Sequence, residues 1–222
     1  MEVTYYGHAA VKVKSDVKML FDPWIEENPK FRGELKDVED VDLVLVTHDH
    51  ADHGFSDAVR ICKRTGATLV GIFELASQAE ARGVKTAVGG NIGGPIKVKG
   101  VEVILTPAVH SCSAGSPVGF VVLTSEGAVY HAGDTGLFYA MKLIGELYRP
   151  KVAFLPVGGF YTMGPREAAK AVELISPEKV VPIHWGTFPV LEETPDRFVE
   201  EVKKLGVDTE VIVLKPGEKA EV

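Results

Sequence analysis

The sequence predicts an α/β (α+β) fold in which two sheets pack face to face, with helices on the outside. Three observations predict it: an opening third made of short strands, a final third in which strands and helices alternate, and a nearly unbroken apolar run at 41–46. Such a run is what a strand buried on both faces carries. Meandering strands together with strand–helix alternation suit layers of sheet and helix around a common core. With 222 residues, 45% hydrophobic and 25% charged, the chain can bury that core without disulfides, and disorder or a coiled coil is excluded. No Ser- or Pro-rich linker, low-complexity stretch or repeat interrupts it, so a single domain over 1–222 is expected.

The elements follow in order. Residues 3–6, 11–14 and 18–21 are short alternating or apolar runs broken by Gly7 and by Ser15-Asp16, so three strands are expected. After the buried strand at 41–46 comes a polar cluster and then 55–64, where Phe55, Val59 and Cys62 share one helical face and Gly66 supplies the stop. A strand at 67–72 leads to a helix at 74–82 ended by Gly83. Further strands are read at 85–88, 96–98, 101–106 and 118–123, and Ser125-Glu126-Gly127 turns the last of them into 128–131 as a hairpin. The glycines of 89–94 lack the spacing of a nucleotide-binding loop and are read as turns. The remainder alternates helix 137–148, strand 152–157, helix 165–175, strand 179–183, helix 195–204 and strand 209–214.

Several classes are disfavoured at once. No apolar run approaches the ~20 residues of a membrane span, and the N-terminal residues lack a basic segment followed by an apolar one, so no signal peptide is read. Two cysteines, Cys62 and Cys112, make no disulfide framework, and a cytoplasmic address is expected. A net charge of −7 argues against a broad phosphate-tracking surface, and with it against nucleic acid as partner.

The chemistry is concentrated in Thr47-His48-Asp49-His50-Ala51-Asp52-His53, where the buried strand meets a helix. Three imidazoles and two carboxylates in six residues are not explained by packing. Imidazole nitrogen and carboxylate oxygen suit first-row divalent ions, and the period of two along a strand aims His48 and His50 the same way. Asp52 and His53 then turn toward a neighbouring point as the chain enters the helix. His110, Asp134 and His184 each close an apolar strand, and ligands drawn from one edge of several strands make a rigid metal site.

H-x-H-x-D-H, then a single His, then Gly133-Asp134-Thr135, then a late His resembles the ligand series of the metallo-β-lactamase superfamily, over nearly the whole chain. Gly7-His8-Ala9, Asp22-Pro23, residues 162–165 and residues 184–188 resemble a narrower group, the small bacterial and archaeal metal-dependent hydrolases akin to L-ascorbate-6-phosphate lactonase. The resemblance implies a four-layer αββα sandwich with two metal ions at one edge. By position, His48, His50 and His110 would hold the first ion, Asp52, His53 and His184 the second, and Asp134 would bridge them. No Cys stands where Asp134 does, which argues against the branch of zinc β-lactamases that uses one. The chain is also short for the appended domains of other branches.

Two divalent ions less Asp52, Asp134 and a bridging hydroxide leave about +1 by formal count. That predicts hydrolysis of a small ester, lactone or phosphorylated metabolite, with an anionic substrate favoured, the hydroxide as nucleophile and Asp52 orienting it or taking its proton. The resemblance places His8 at the mouth of the site, as a substrate contact, proton donor or metal contact, the competing reading being a structural histidine of the first hairpin. Asp22 is read as a carboxylate that fixes the tautomer of a ligand histidine. His131 is read as buried and structural, Cys112 as a packed thiol, and Tyr161 and Thr162 as groups near the active edge. A His/Asp set without thiolate accepts Zn²⁺, Mn²⁺, Fe²⁺, Co²⁺ or Ni²⁺. Monomer and homo-oligomer both stay open, the resemblance favouring the oligomer. Two other readings compete: a phosphodiesterase acting on nucleotides or RNA, which salt-dependent retention on RNA would revive, and a metal-binding scaffold subunit without catalysis, against which the complete ligand series argues.

Overall fold

The computed structural model describes residues 1–222. In chain order the strands are β1 (Glu2–Gly7), β2 (Ala10–Lys14), β3 (Lys18–Phe21), β4 (Leu43–Leu45), β5 (Thr68–Ile72), β6 (Ala87–Gly90) and β7 (Pro95–Val98). They continue with β8 (Val101–Pro107), β9 (Val118–Thr124), β10 (Gly127–His131), β11 (Pro150–Pro156), β12 (Lys179–Ile183), β13 (Glu210–Val211) and β14 (Lys219–Glu221). The helices are α1 (Leu35–Glu39), α2 (Phe55–Thr65), α3 (Phe73–Ala81), α4 (Met141–Tyr148), α5 (Pro165–Ile175) and α6 (Asp196–Leu205). No helix is long and apolar enough to cross a membrane.

Two seven-stranded sheets result, ordered β14-β1-β2-β3-β4-β5-β6 and β13-β12-β11-β10-β9-β8-β7. Each has the same grammar. One half is antiparallel, built of hairpins, of the longer β8–β9 connection and of β14 added to β1, and helical crossovers make the other half parallel, from β3 to β6 and from β10 to β13. The period of two along the strands sorts side chains between layers. In β11, Val152 and Phe154 face the core between the sheets, where they join Val13, Phe21 and Leu45 of the first sheet and Phe120 and Ile183 of the second. Ala153 and Leu155 face the other way, onto Ala168 and Val172 of α5 and Phe198 of α6. Helices α2 and α3 cover the outer face of the first sheet through Ile61 and Leu75. The fold is therefore the expected four-layer αββα sandwich.

The differences from the sequence reading have local causes. The strand expected at 41–46 pairs as a ladder only over Leu43–Leu45, because the Asp22 side chain takes over the pairing and accepts the Thr47 N–H at 2.8 Å. The strand placed at 85–88 lies at Ala87–Gly90, so the first two glycines of the 89–94 run are in a strand and not a turn. A Cβ on Gly89 would stand 2.9 Å from the Phe73 Cα, so glycine there permits the close approach of α3. The helix read from 137 begins at Met141, after a turn closed by the Met141 N–H to the Phe138 carbonyl. The strand at 209–214 shrinks to two residues, since β12 pairs with it only at Lys179 and Val180. Helix α1, a 3₁₀ turn at Ala51–His53 and the edge strand β14 carry no legible periodicity.

Helix α4 crosses the end of α5 so closely that a Cβ on Gly145 would run into the Ile175 carbonyl, whose carbon would be 2.8 Å away. Gly→Ala inside an exposed helix stabilises by about 1 kcal/mol. Here the sign reverses: Gly145→Ala should destabilise by about 1–3 kcal/mol through overpacking, read as a lower urea midpoint, and an unchanged or higher midpoint would refute this packing.

Candidate metal centre

One edge of the sandwich collects six of the seven histidines, and the strand ends explain why. The chain leaves β4 extended through Thr47 to His50, so His48 and His50 point alike and the Nε2 of one lies 3.0 Å from the Nδ1 of the other. The 3₁₀ turn at Ala51–His53 then swings Asp52 and His53 aside. Gly54 ends that turn in the left-handed region, φ +68°, where a Cβ would strike the backbone of Pro23 and Trp24, so only glycine lets α2 start at once. His110 arrives after β8, Asp134 after β10 and His184 after β12.

The donors fall into overlapping groups: His48 with His50 and His110; Asp52 with His53, His184 and His8; and Asp134 with His48 and His53. Oδ2 of Asp134 stands 3.1 Å from Nε2 of His184, 3.2 Å from Nε2 of His53 and 3.6 Å from Nε2 of His110. Nε2 of His110 is 3.3 Å from Nδ1 of His50. Two donors about 2.0–2.1 Å from one tetrahedral ion stand about 3.3 Å apart, so these separations are those of atoms arranged around shared points. Buried Nε2 atoms of His53 and His184 and Oδ1 of Asp134 have no hydrogen-bond partner. Polar atoms buried without partners are costly, and a cation is what lone pairs so placed accommodate. The residues present fit a metal site.

Behind the donors, Asp22 fixes two tautomers. It sits at the end of β3 in the left-handed region, φ +41°, fully buried. Its Oδ2 accepts from Nδ1 of His53 at 2.8 Å and from the Thr47 hydroxyl at 2.8 Å. The Thr47 oxygen is thereby left to accept from Nδ1 of His48 at 3.0 Å. Both imidazoles thus keep their proton on Nδ1 and turn Nε2 to the cluster. Thr47 was not singled out in the sequence, although a hydroxyl immediately before the first His of the motif is the available cue. Two further supports hold the loops: Asp49 Oδ1 accepts the Ser113 N–H at 2.8 Å, and Thr135 Oγ1 accepts the Val109 N–H at 2.9 Å.

His8 corrects the sequence reading. It is not at the mouth of the site but fully buried beneath it, in the turn between β1 and β2, with φ +58°. Its Nε2 faces Oδ2 of Asp52 at 3.2 Å, its Nδ1 faces the Thr187 hydroxyl at 3.0 Å, and its ring lies 4.0 Å from that of His184. His131 is buried as expected, donating from Nε2 to the Ala9 carbonyl at 3.1 Å and stacked on Phe21. Cys112 is half-exposed rather than packed, its sulfur turned to the Ala114 and Gly115 carbonyls.

Crowding sets the electrostatics. Burial above all, then the neighbouring His53, pushes the His48 imidazole down to about 2. Burial, then His184, pushes His8 down to about 4. For His53 burial again acts downward, yet the charges of Asp134 and Asp22 outweigh it and hold the imidazole well above the ordinary histidine value. Burial would raise the Asp134 carboxyl, but His184 and His53 hold it well below the carboxylate range. Asp52 is also held low: burial works upward, and the hydrogen bond to His8 together with the charges of His53 and His8 outweighs it.

The cluster opens into a cavity of about 430 Å³ bordered by Ser111, Tyr161 and Phe188. Beside it, sharing His50, lies a depression of about 420 Å³ edged by Glu26, Glu27, Asp49, Asp57 and Arg82.

A model of the beta-lactamase superfamily domain matches residues 18–185. A UPF0173 metal-dependent hydrolase of Methanopyrus kandleri is 54% identical over 231 aligned residues that cover all of both chains. Its counterpart in Korarchaeum cryptofilum is 47% identical over 221 residues, covering 100% of this chain and 99% of the relative. Among solved structures, Igni18, a metallo hydrolase from the archaeon Ignicoccus hospitalis, is similar with a TM-score of 0.91 and 43% identity, covering 100% of this chain and 98% of that one. CmlA, a diiron β-hydroxylase from Streptomyces venezuelae, shares the fold at 16% identity and a TM-score of 0.76, covering 100% of this chain and 54% of that one.

The opposed shifts are observable in chelator-treated protein. Histidine NMR titration should place His53 above the ordinary value, protonated through neutral pH, and His8 below it, neutral there. The reverse order would overturn the hydrogen-bond assignment at Asp22 and Asp52.

Proposed function

The chain belongs to the beta-lactamase superfamily and, within it, to the UPF0173 metal-dependent hydrolases, and from that premise we propose that it hydrolyses a small ester, lactone or phosphorylated molecule with two divalent ions. His48, His50 and His110 would hold one ion, Asp52, His53 and His184 the other, with Asp134 between them. The observation that carries this is Oδ2 of Asp134, one oxygen within 3.6 Å of histidine nitrogens from both sets. The donor set has nitrogen and carboxylate oxygen and no thiolate, which suits Zn²⁺, Mn²⁺, Fe²⁺, Co²⁺ or Ni²⁺. When bound, such ions polarise a carbonyl or phosphoryl oxygen and let water ionise near neutral pH.

The protein's own residues then divide the work. Asp22 and Thr47 hold His53 and His48 in the tautomer that presents Nε2. Asp52 is the carboxylate at the cavity wall, with its side chain 27% exposed, and its place suits orienting the attacking water and taking its proton. His8 is a positioning residue. Buried and braced by Thr187, it holds Asp52 from beneath and acts on the reaction through that carboxylate. The burial of His8 supports this positioning role over direct contact with a bulky substrate.

Metal content by elemental mass spectrometry, after chelator stripping and reloading with Zn²⁺ or Mn²⁺, tests the proposal. Wild-type protein should hold about two ions per chain and Asp134→Ala fewer, with hydrolysis lost by about 10³-fold or more in that variant. Asp22→Asn should keep the fold and weaken metal affinity by about 10–100-fold. Full activity in Asp134→Ala, or one ion or none in the wild type, would sink the dinuclear assignment.

A further inference from the structure

The walls of the cavity differ in kind from its floor. The floor is the His/Asp cluster. Beyond it the cavity is bounded by the Ser111 hydroxyl and by two aromatic rings, Tyr161 and Phe188. The charged side chains that reach it are the carboxylates Asp52 and Asp134, and its lining contains no guanidinium or ammonium group. In the adjoining depression Arg60 neutralises Glu26 and Asp57, at 2.5 and 2.6 Å, which leaves Glu27 and Asp49 beside Arg82, whose guanidinium lies over the Phe55 ring at 5.2 Å. A phosphate or carboxylate held away from a reacting bond is ordinarily gripped by an arginine fork or a lysine. Here it would meet ring faces and negative charge.

The rings are built in. Phe188 packs edge-on to the buried His8 ring at 5.4 Å and lies 6.1 Å from Trp24, itself buried, so it is backed from behind. Tyr161 stands on the loop before α5, with Phe160 edge-to-face against it at 4.8 Å; the two are 53% and 74% exposed and extend the apolar rim outward. A volume of about 430 Å³ is at the small end of what holds a drug-sized ligand.

We propose that the substrate is uncharged away from the bond that is broken and carries a flat apolar group, which binds against Phe188 and Tyr161. This rests on the hydrolase reading above and narrows it: the positive excess expected of two ions acts on the reacting atoms, while the walls select a neutral remainder. Phosphorylated sugars and other remotely anionic metabolites are disfavoured, and neutral aryl or alkyl esters and lactones are favoured.

The test uses two matched esters on the metal-loaded chain, 4-acetoxybenzamide and 4-acetoxybenzoate, which share the scissile bond and ring and differ in the remote charge. The neutral ester should be preferred at least tenfold in kcat/KM, and Phe188→Ala and Tyr161→Ala should each raise its KM by about tenfold and narrow the preference. A second arm reads binding without turnover: acetanilide should bind at least tenfold more tightly than 4-acetamidobenzenesulfonate by NMR titration, with the difference reduced in both variants. Esters hydrolysed with equal or better kcat/KM for the anionic member would overturn the proposal and leave the hydrolase reading standing. Binding that follows the prediction while no ester turns over would uphold the pocket and count against ester hydrolysis instead. Equal binding of both probes would overturn the proposal by itself.

Discussion

The buried carboxylate of Asp22 is the constraint on which this architecture turns. It stands where β3 ends and β4 is about to leave the sheet, and it satisfies three donors at once: the Thr47 N–H, the Thr47 hydroxyl and the His53 imidazole. Its own N–H completes the pairing to the Leu45 carbonyl. The side chain therefore substitutes for a strand neighbour at the point where the H-x-H-x-D-H segment must depart from β geometry. Hydrogen bonds to a buried charge are worth more than neutral ones, and removing one member of such a network leaves the rest uncompensated. The unusual backbone at Asp22 is held in place by these partners.

The same economy ties the two sheets together across the site. The His184 N–H donates to the His8 carbonyl at 2.7 Å, joining the loop after β12 to the β1–β2 turn, and the Val118 N–H to the Thr47 carbonyl at 3.1 Å, joining β9 to the segment after β4. His8, Asp22 and His184 all lie at positive φ, a conformation that costs a non-glycine residue about 1–3 kcal/mol and persists where the surroundings over-determine it. Three residues at or behind the donors share that strain, so loop positions are set by cross-sheet hydrogen bonds rather than by local preference.

How legible this was in the sequence follows from the range of the interactions. The cluster at 48–53 could be read closely because strand alternation and a following turn are local, and His110, Asp134 and His184 could be placed at strand ends because apolar runs stop there. Asp22 was legible as a supporting carboxylate for the same reason. The depth of His8 was not, because its burial is produced by Trp24, Phe188 and His184, far away in the chain. Nor were Gly89 and Gly90 in β6, whose glycines answer to α3 and to Ile96 rather than to a turn. The edge strand β14 is three polar-flanked residues that become a strand only because β1 offers them an open edge.

Separating the donors from the walls has a chemical consequence. The imidazoles and carboxylates are held by groups that the cavity does not expose: Asp22 and Thr47 behind His53 and His48, His8 and Thr187 behind Asp52, Thr135 behind the His110 loop. Ser111, Tyr161 and Phe188 come from loops between strands and helices and bear no part of that support, apart from the contact of Phe188 with His8. A scaffold so divided can keep one arrangement of donors while loop residues decide what enters. Phe188 is the exception, the single wall residue that touches the support, so a change there reaches both the selection of substrate and, through His8, the carboxylate of Asp52.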